Sequence, residues 1–138
     1  MTPVLVDTGF LVAAYNKRER HHAVCVRTYH GLDHPLVTCE PVIAEALHLL
    51  RFTPGAADDI LASVAEGILE MPFRLGESAA AIQKIMKKYQ DVPADLADAC
   101  LIHMADELDT GDILTLDSDF RHYRWRRNRS FHLLIPLD

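Results

Sequence analysis

Val4-Leu5-Val6-Asp7-Thr8-Gly9 places three apolar residues directly before an acid and a polar turn. A short apolar run bounded in this way reads as a buried strand. Near the other end of the chain, Ile113-Leu114-Thr115-Leu116 repeats the form and ends in Asp117. Leu36-Val37-Thr38 and His132 to Ile135 are further strand candidates, and Met71 to Leu75 is another, restricted to a sheet edge by Pro72. Between them lie segments of helical pattern. Phe10 to Asn16 is a helix or loop, Lys17 to His22 a solvated charged stretch, and Ala23 to His30 a helix. Glu40-Pro41 starts a helix whose apolar face is Val42, Ile43, Ala46, Leu47, Leu49 and Leu50, and Thr53-Pro54-Gly55 ends it. Helices are expected over Ala56 to Leu69, over Glu77 to Tyr89 with Lys84, Lys87 and Lys88 exposed, and from Asp91-Val92-Pro93 to about Leu108, with Gly111 closing the turn beyond. Strands that alternate with helices specify an α/β class with a mainly parallel sheet.

The remaining composition is that of one globular unit. The 138 residues are 49% hydrophobic and 25% charged, with no internal repeat or linker, so residues 1–138 are expected to form a single domain. No apolar run reaches the roughly 18 residues of a membrane span, and the first residues lack the basic start of a signal peptide. Cys25, Cys39 and Cys100 are odd in number and lack C-x-x-C spacing. That argues against a disulfide framework or a cysteine zinc site and for a reducing, cytoplasmic setting. The net charge of −6 conceals an asymmetry: residues 1–120 carry a balance of −10 and residues 121–138 a balance of +4.

Ligands of open α/β sheets sit beyond the carboxyl ends of the strands. Asp7 and Asp117 occupy that position, and Glu45 and Asp98 lie early in helices, with Asp95 on the same helical face as Asp98. Taken singly, an Asp after a strand is often a turn former or helix cap, and an acid within a helix is usually solvated. Glu45, however, is flanked by Ile43, Ala44, Ala46 and Leu47, and Asp98 by Leu96, Ala97, Ala99 and Cys100. Carboxylates in apolar surroundings are costly unless compensated, and converging ones raise each other's pKa. A divalent cation relieves both effects, and oxygen-only ligands favour Mg²⁺ or Mn²⁺ over zinc. The eight histidines include the adjacent pair His21-His22 but no H-x-H or H-E-x-x-H, and neither G-x-S-x-G nor a phosphate-binding Walker loop occurs. An acidic cage without a nucleotide loop points to phosphate-ester chemistry on a polymer.

With these residues in place the chain resembles the PIN-domain ribonucleases, and among them the VapC-type toxins of bacterial toxin–antitoxin pairs. The resemblance rests on Val6-Asp7-Thr8-Gly9, Pro41-Val42-Ile43-Ala44-Glu45, Asp95-Leu96-Ala97-Asp98-Ala99 and Leu114-Thr115-Leu116-Asp117-Ser118-Asp119-Phe120, in that order along nearly the whole chain. It implies a three-layer α/β/α fold around a parallel five-stranded sheet. It also implies a catalytic set of Asp7, Glu45, Asp98 and Asp117 holding Mg²⁺ or Mn²⁺, with Asp7 and Asp98 as direct ligands and Glu45 and Asp117 completing the cage or orienting water. Thr8 and Thr115 fall where the family places small hydroxyl residues, and Asp95 and Asp119 are additional acids beside the matched positions. The activity implied is cleavage of RNA by metal-activated water. The partners implied are a cognate antitoxin protein and a second copy of the chain.

Arg121, Arg124, Arg126, Arg127 and Arg129 are interleaved with Tyr123 and Trp125, which suits phosphate contacts and base stacking on RNA. The alternative is a solvated loop with Trp125 covering the core edge. For a dimer surface, Phe10, Leu11, Val12, Tyr15 and the helix of residues 56–69 compete with plain core packing. Two other functions compete with the nuclease. One is a PIN-like module that binds RNA or protein without turnover, to which a complete set of four acids runs counter. The other is a phosphatase using a D-x-D nucleophile after the first strand, which Gly9 excludes because the second acid is missing.

Overall fold

The computed structural model describes residues 1–92 and 94–137. Val4–Val6 form β1, and all three side chains are buried. A strand covered on both faces has no solvent side, which is why its sequence shows no polar alternation. β2 (Leu36–Val37) pairs with it in parallel on one side, Val4 opposite Leu36 and Leu5 opposite Val37. β4 (Asp112–Leu114) pairs on the other side, Leu5 opposite Ile113 and Val6 opposite Leu114. β3 (Leu69–Glu70) and β7 (His132–Leu133) are the edges of a sheet ordered β3-β2-β1-β4-β7, parallel throughout. A separate antiparallel hairpin joins β5 (Arg124–Trp125) to β6 (Arg129–Ser130).

Helices flank this sheet: α1 (Thr8–Tyr15), α2 (His22–Gly31), α3 (Glu40–Leu49), α4 (Ala56–Ala65), α5 (Leu75–Lys88) and α6 (Leu96–Leu108). α1 packs on α2 and α3, and α5 on α6. From Ala97 to Ala105 every residue of α6 is buried, which the small side chains Ala97, Ala99, Cys100 and Ala105 permit. The chain runs outward from β1 through β2 to β3, then returns to the far side of β1 as β4. That reversal opens a crevice at the carboxyl ends of β1 and β4. Asp7 follows β1 directly, whereas β4 ends at Leu114, short of the Leu116 expected, so Asp117 lies three residues beyond it.

Several expectations need correction. The helix expected over residues 56–69 stops at Ala65, because Gly67 takes a left-handed φ of 79° and its N–H and that of Ile68 close on Val64 and Ser63. The strand expected over residues 71–75 is instead Leu69–Glu70, held by pairing with β2, and Leu75 already belongs to α5. α6 begins at Leu96, after Asp95, rather than at the Asp91-Val92-Pro93 turn, of which Pro93 lies outside the described residues. The helix-ending left-handed residue is Asp109, with φ 53°, and not Gly111. Gly111 is needed for another reason: a Cβ there would collide with the indole of Trp125. Phe10 and Leu11 lie in the core, which removes them from any dimer surface. All three cysteines are free and buried. No described helix is long and apolar enough to cross a membrane.

Candidate active site

Three of the predicted acids come together because Asp7 and Asp117 cap helical segments at the crevice and Asp98 stands in the first turn of another. Asp7, extended at the end of β1, caps α1 by accepting the Thr8 N–H at 2.8 Å. Asp117 caps the 3₁₀ turn Ser118–Arg121 by accepting the Asp119 N–H at 2.9 Å. Asp98 stands in the first turn of α6, in a reciprocal capping box with Asp95: its N–H donates to Asp95 at 2.8 Å, and its Oδ2 accepts the Asp95 N–H at 3.3 Å. Asp7, Asp98 and Asp117 each offer a carboxylate oxygen within 4.8 Å of the others. Helix N-termini favour negative charge, so the fold partly offsets this crowding.

Thr115 links two of the acids. Its Oγ1 donates to Asp7 Oδ2 at 2.7 Å and accepts the Asp117 N–H at 3.0 Å, which fixes the Asp7 carboxylate between two donors. Burial nevertheless dominates. Asp7 is 5% exposed, and desolvation pushes its pKa from the ordinary 3.8 up to about 6, against the lowering effect of the Thr115 and Thr8 hydrogen bonds. Asp98, 8% exposed, is pushed up to about 7 by desolvation and then by the charges of Asp95 and Asp7. Asp117 also rises, first through desolvation. All three acids are thus shifted toward the protonated form, the direction in which burial and mutual repulsion push carboxylates.

The crevice has a volume of about 340 Å³ and is lined by both polar and apolar groups, among them Thr8, Val12, Glu19, Glu45, Leu49 and Asp95. Glu45 reaches it from α3 but is exposed and stands outside the tight group of three. Its apolar neighbours in sequence misled: Val42, Ile43 and Ala46 turn inward along α3, while Ala44 and Glu45 face outward. Asp95 is exposed and serves as the cap of α6, and Asp119 contributes its backbone N–H to Asp117. Glu19 sits in the stretch read as merely solvated, and nothing in its immediate sequence distinguishes it from Lys17 or Arg18. Thr8 is 4% exposed, and its Oγ1 has no hydrogen-bond partner among the described residues. A buried unpartnered hydroxyl beside carboxylates of raised pKa fits a site for a hard divalent cation with oxygen ligands.

The aromatic rings read as base-stacking groups are interior. Tyr123 is fully buried, its hydroxyl donating to Asp98 Oδ2 at 3.3 Å, and Trp125 is 8% exposed, donating to the Ser130 carbonyl at 3.1 Å. Neither can stack on a base. Among the arginines, Arg121 donates to the Leu137 carbonyl, and Arg124 to the Arg121 and Tyr123 carbonyls. Arg126 is tied to the Asp106 carbonyl and, at 3.6 Å, to the Asp109 carboxylate. Asp106 lies eight residues beyond Asp98 on α6, roughly 12 Å along the helix, so Arg126 sits away from the crevice.

Comparison with known proteins agrees with this geometry. The PIN domain family matches residues 4–126. The chain is 30% identical over 122 residues to ribonuclease VapC26 of Mycobacterium tuberculosis, covering 87% of this chain and 89% of that protein. The crystal structure of Mycobacterium tuberculosis VapC20, described as a toxin cleaving the sarcin–ricin loop, superposes with a TM-score of 0.76 at 17% identity, covering 84% of this chain and 91% of that one. The likeness to VapC20 concerns the fold.

Proposed function

We propose that this chain, which belongs to the PIN-domain family and within it groups with the VapC ribonucleases, is an endoribonuclease acting as the toxin of a toxin–antitoxin pair. The observation that carries the reading is the convergence of Asp7, Asp98 and Asp117 in an open crevice of that fold, two of them with a pKa near neutrality. The cofactor is Mg²⁺ or Mn²⁺, held by Asp7 and Asp98 with Asp117. Such a cation neutralises charge on the scissile phosphate and makes water acidic enough to attack at neutral pH. Thr115 holds the Asp7 carboxylate in place, and the free hydroxyl of Thr8 offers a hydrogen bond to substrate or water. Glu45, exposed at the crevice wall, orients the attacking water or takes its proton. Arg121 and Arg124, which follow Asp117 closely in the chain, contact RNA phosphates, while Arg126 anchors the hairpin to the end of α6.

The partners in this reading are an RNA substrate, an antitoxin protein that covers the crevice, and a second copy of the chain. The half-exposed Leu75 and Leu96 beside a cleft of about 740 Å³ support the second copy. A cytoplasmic location accords with three free cysteines. The test is cleavage of labelled total RNA by purified protein with Mg²⁺, Mn²⁺ or EDTA, beside Asp7→Asn and Asp98→Asn. Metal-dependent cutting that both variants lose is expected. Absence of cutting together with absence of metal uptake by calorimetry would leave the non-catalytic binding module as the better reading.

A further inference from the structure

We propose that Tyr123 is a positioning residue of the acidic centre: its hydroxyl pins one carboxylate oxygen of Asp98 and so turns the other toward Asp7 and Asp117. The inference rests on the reading of that centre as a cation site. Tyr123 is fully buried, and the partner of its hydroxyl is Asp98 Oδ2 at 3.3 Å. The same oxygen accepts the Asp95 N–H at 3.3 Å, so both restraints fall on one oxygen of the carboxylate. Both restraints are long for hydrogen bonds to a carboxylate, so neither fixes the group alone. Together they come from opposite sides of the chain, one from the start of α6 and one from the segment that follows β4.

The tyrosine ring is itself held firmly. It meets Tyr89 edge-on at 5.0 Å and Phe120 edge-on at 5.0 Å, and Phe120 meets Phe131 in the same way at 5.3 Å. Tyr89 Oη accepts the Arg124 N–H at 3.0 Å, locking the backbone next to Tyr123. The Tyr123 N–H bonds the Asp119 carbonyl at 3.1 Å, and the Phe120 N–H the Asp117 carbonyl at 3.2 Å. One short rigid segment therefore carries Asp117 at its start and, at its end, the hydroxyl that orients Asp98. The spacing between these two acids is set by that segment as well as by the sheet.

The test uses Tyr123→Phe, which keeps the buried ring, with Tyr15→Phe as a control that removes a hydroxyl paired with Ser63 and touching neither an acid nor Tyr123. Partners that orient metal ligands typically contribute tenfold or more to affinity. By calorimetry, Tyr123→Phe is expected to weaken Mn²⁺ binding about tenfold. Its kcat should fall by a similar factor, while KM for RNA stays unchanged because the residue does not reach the surface. Tyr15→Phe should bind Mn²⁺ like the wild type. Equal losses in both variants would show that the effect is not specific to the hydroxyl on Asp98 and overturn the proposal, as would wild-type Mn²⁺ affinity and kcat in Tyr123→Phe. A wild-type protein that takes up no Mn²⁺ would overturn the cation reading itself, and this inference with it.

Discussion

Replacing Asp7 by Asn should stabilise the metal-free protein while removing its activity. Asp7 titrates near 6 in the folded chain against an ordinary 3.8, and it is 5% exposed. A folded pKa above the unfolded one means that the native state binds more protons between those values, so stability falls as pH rises from about 3.8 through about 6. Above that window the ionised carboxylate costs about 3 kcal/mol, at 1.36 kcal/mol per pKa unit. Asn carries no charge but has one acceptor oxygen where Asp7 has two, so it forfeits either the Thr8 or the Thr115 hydrogen bond, worth about 1 kcal/mol. The net gain is about 2 kcal/mol at pH 8, or roughly 6 °C in Tm for a chain of this size. The assay is thermal unfolding of both proteins in EDTA at pH 4 and pH 8. At pH 4 the advantage should vanish and leave the variant slightly less stable. Saturating Mn²⁺ should reverse the order at pH 8, because at a hundred times Kd it stabilises only the wild type, by about 2.7 kcal/mol. A difference between the two proteins that is the same at both pH values would refute the burial argument.

Thr115→Val removes the hydroxyl shared by Asp7 and the Asp117 N–H. It should raise the Asp7 pKa further, read by NMR titration of the carboxyl carbon, and weaken Mn²⁺ binding at least about tenfold. Glu45→Gln should lower kcat by about 100-fold with Mn²⁺ affinity close to wild type, because Glu45 stands outside the three-carboxylate group. Gly111→Ala pushes a methyl group into the indole of Trp125. It should cost about 1–3 kcal/mol in urea unfolding and shift the emission of that single tryptophan.

How far the sequence could be read depended on what kind of force set each feature. β1 and the Ile113-Leu114 part of β4 were legible because burial on both faces demands an unbroken apolar run. Asp7 followed at once as the residue that ends β1, and Asp117 from the apolar run before it, although β4 itself stops at Leu114. Asp98 was legible from its apolar neighbours because α6 is buried all round, and the same argument failed for Glu45 because α3 is buried on one face only. β3 was misplaced because two residues at a sheet edge carry no periodicity, although Gly67 marked the end of the preceding helix. The β5–β6 hairpin escaped for a related reason. Its turn places Arg126 and Arg127 at φ 44° and 73°, where glycine or asparagine would have signalled it. Tyr123 looked like a surface aromatic among arginines, and only tertiary packing reveals it as the inner neighbour of Asp98.

Two acids of the cluster, Asp7 and Asp117, cap helical segments, and this couples chemistry to inheritance in a particular way. Asparagine caps helices about as well as aspartate, and a single nucleotide transition separates their codons. On the proposed reading of the site, a cell escaping the toxin by mutation therefore has a short route at Asp7 or Asp117 to a product that is inert yet properly folded. Substitutions in the core reach the same relief only by wasting the chain. Descendants of the first kind keep their surfaces intact and stay available for recruitment as binders, so catalysis is the most easily discarded property of this architecture and its shape the most durable.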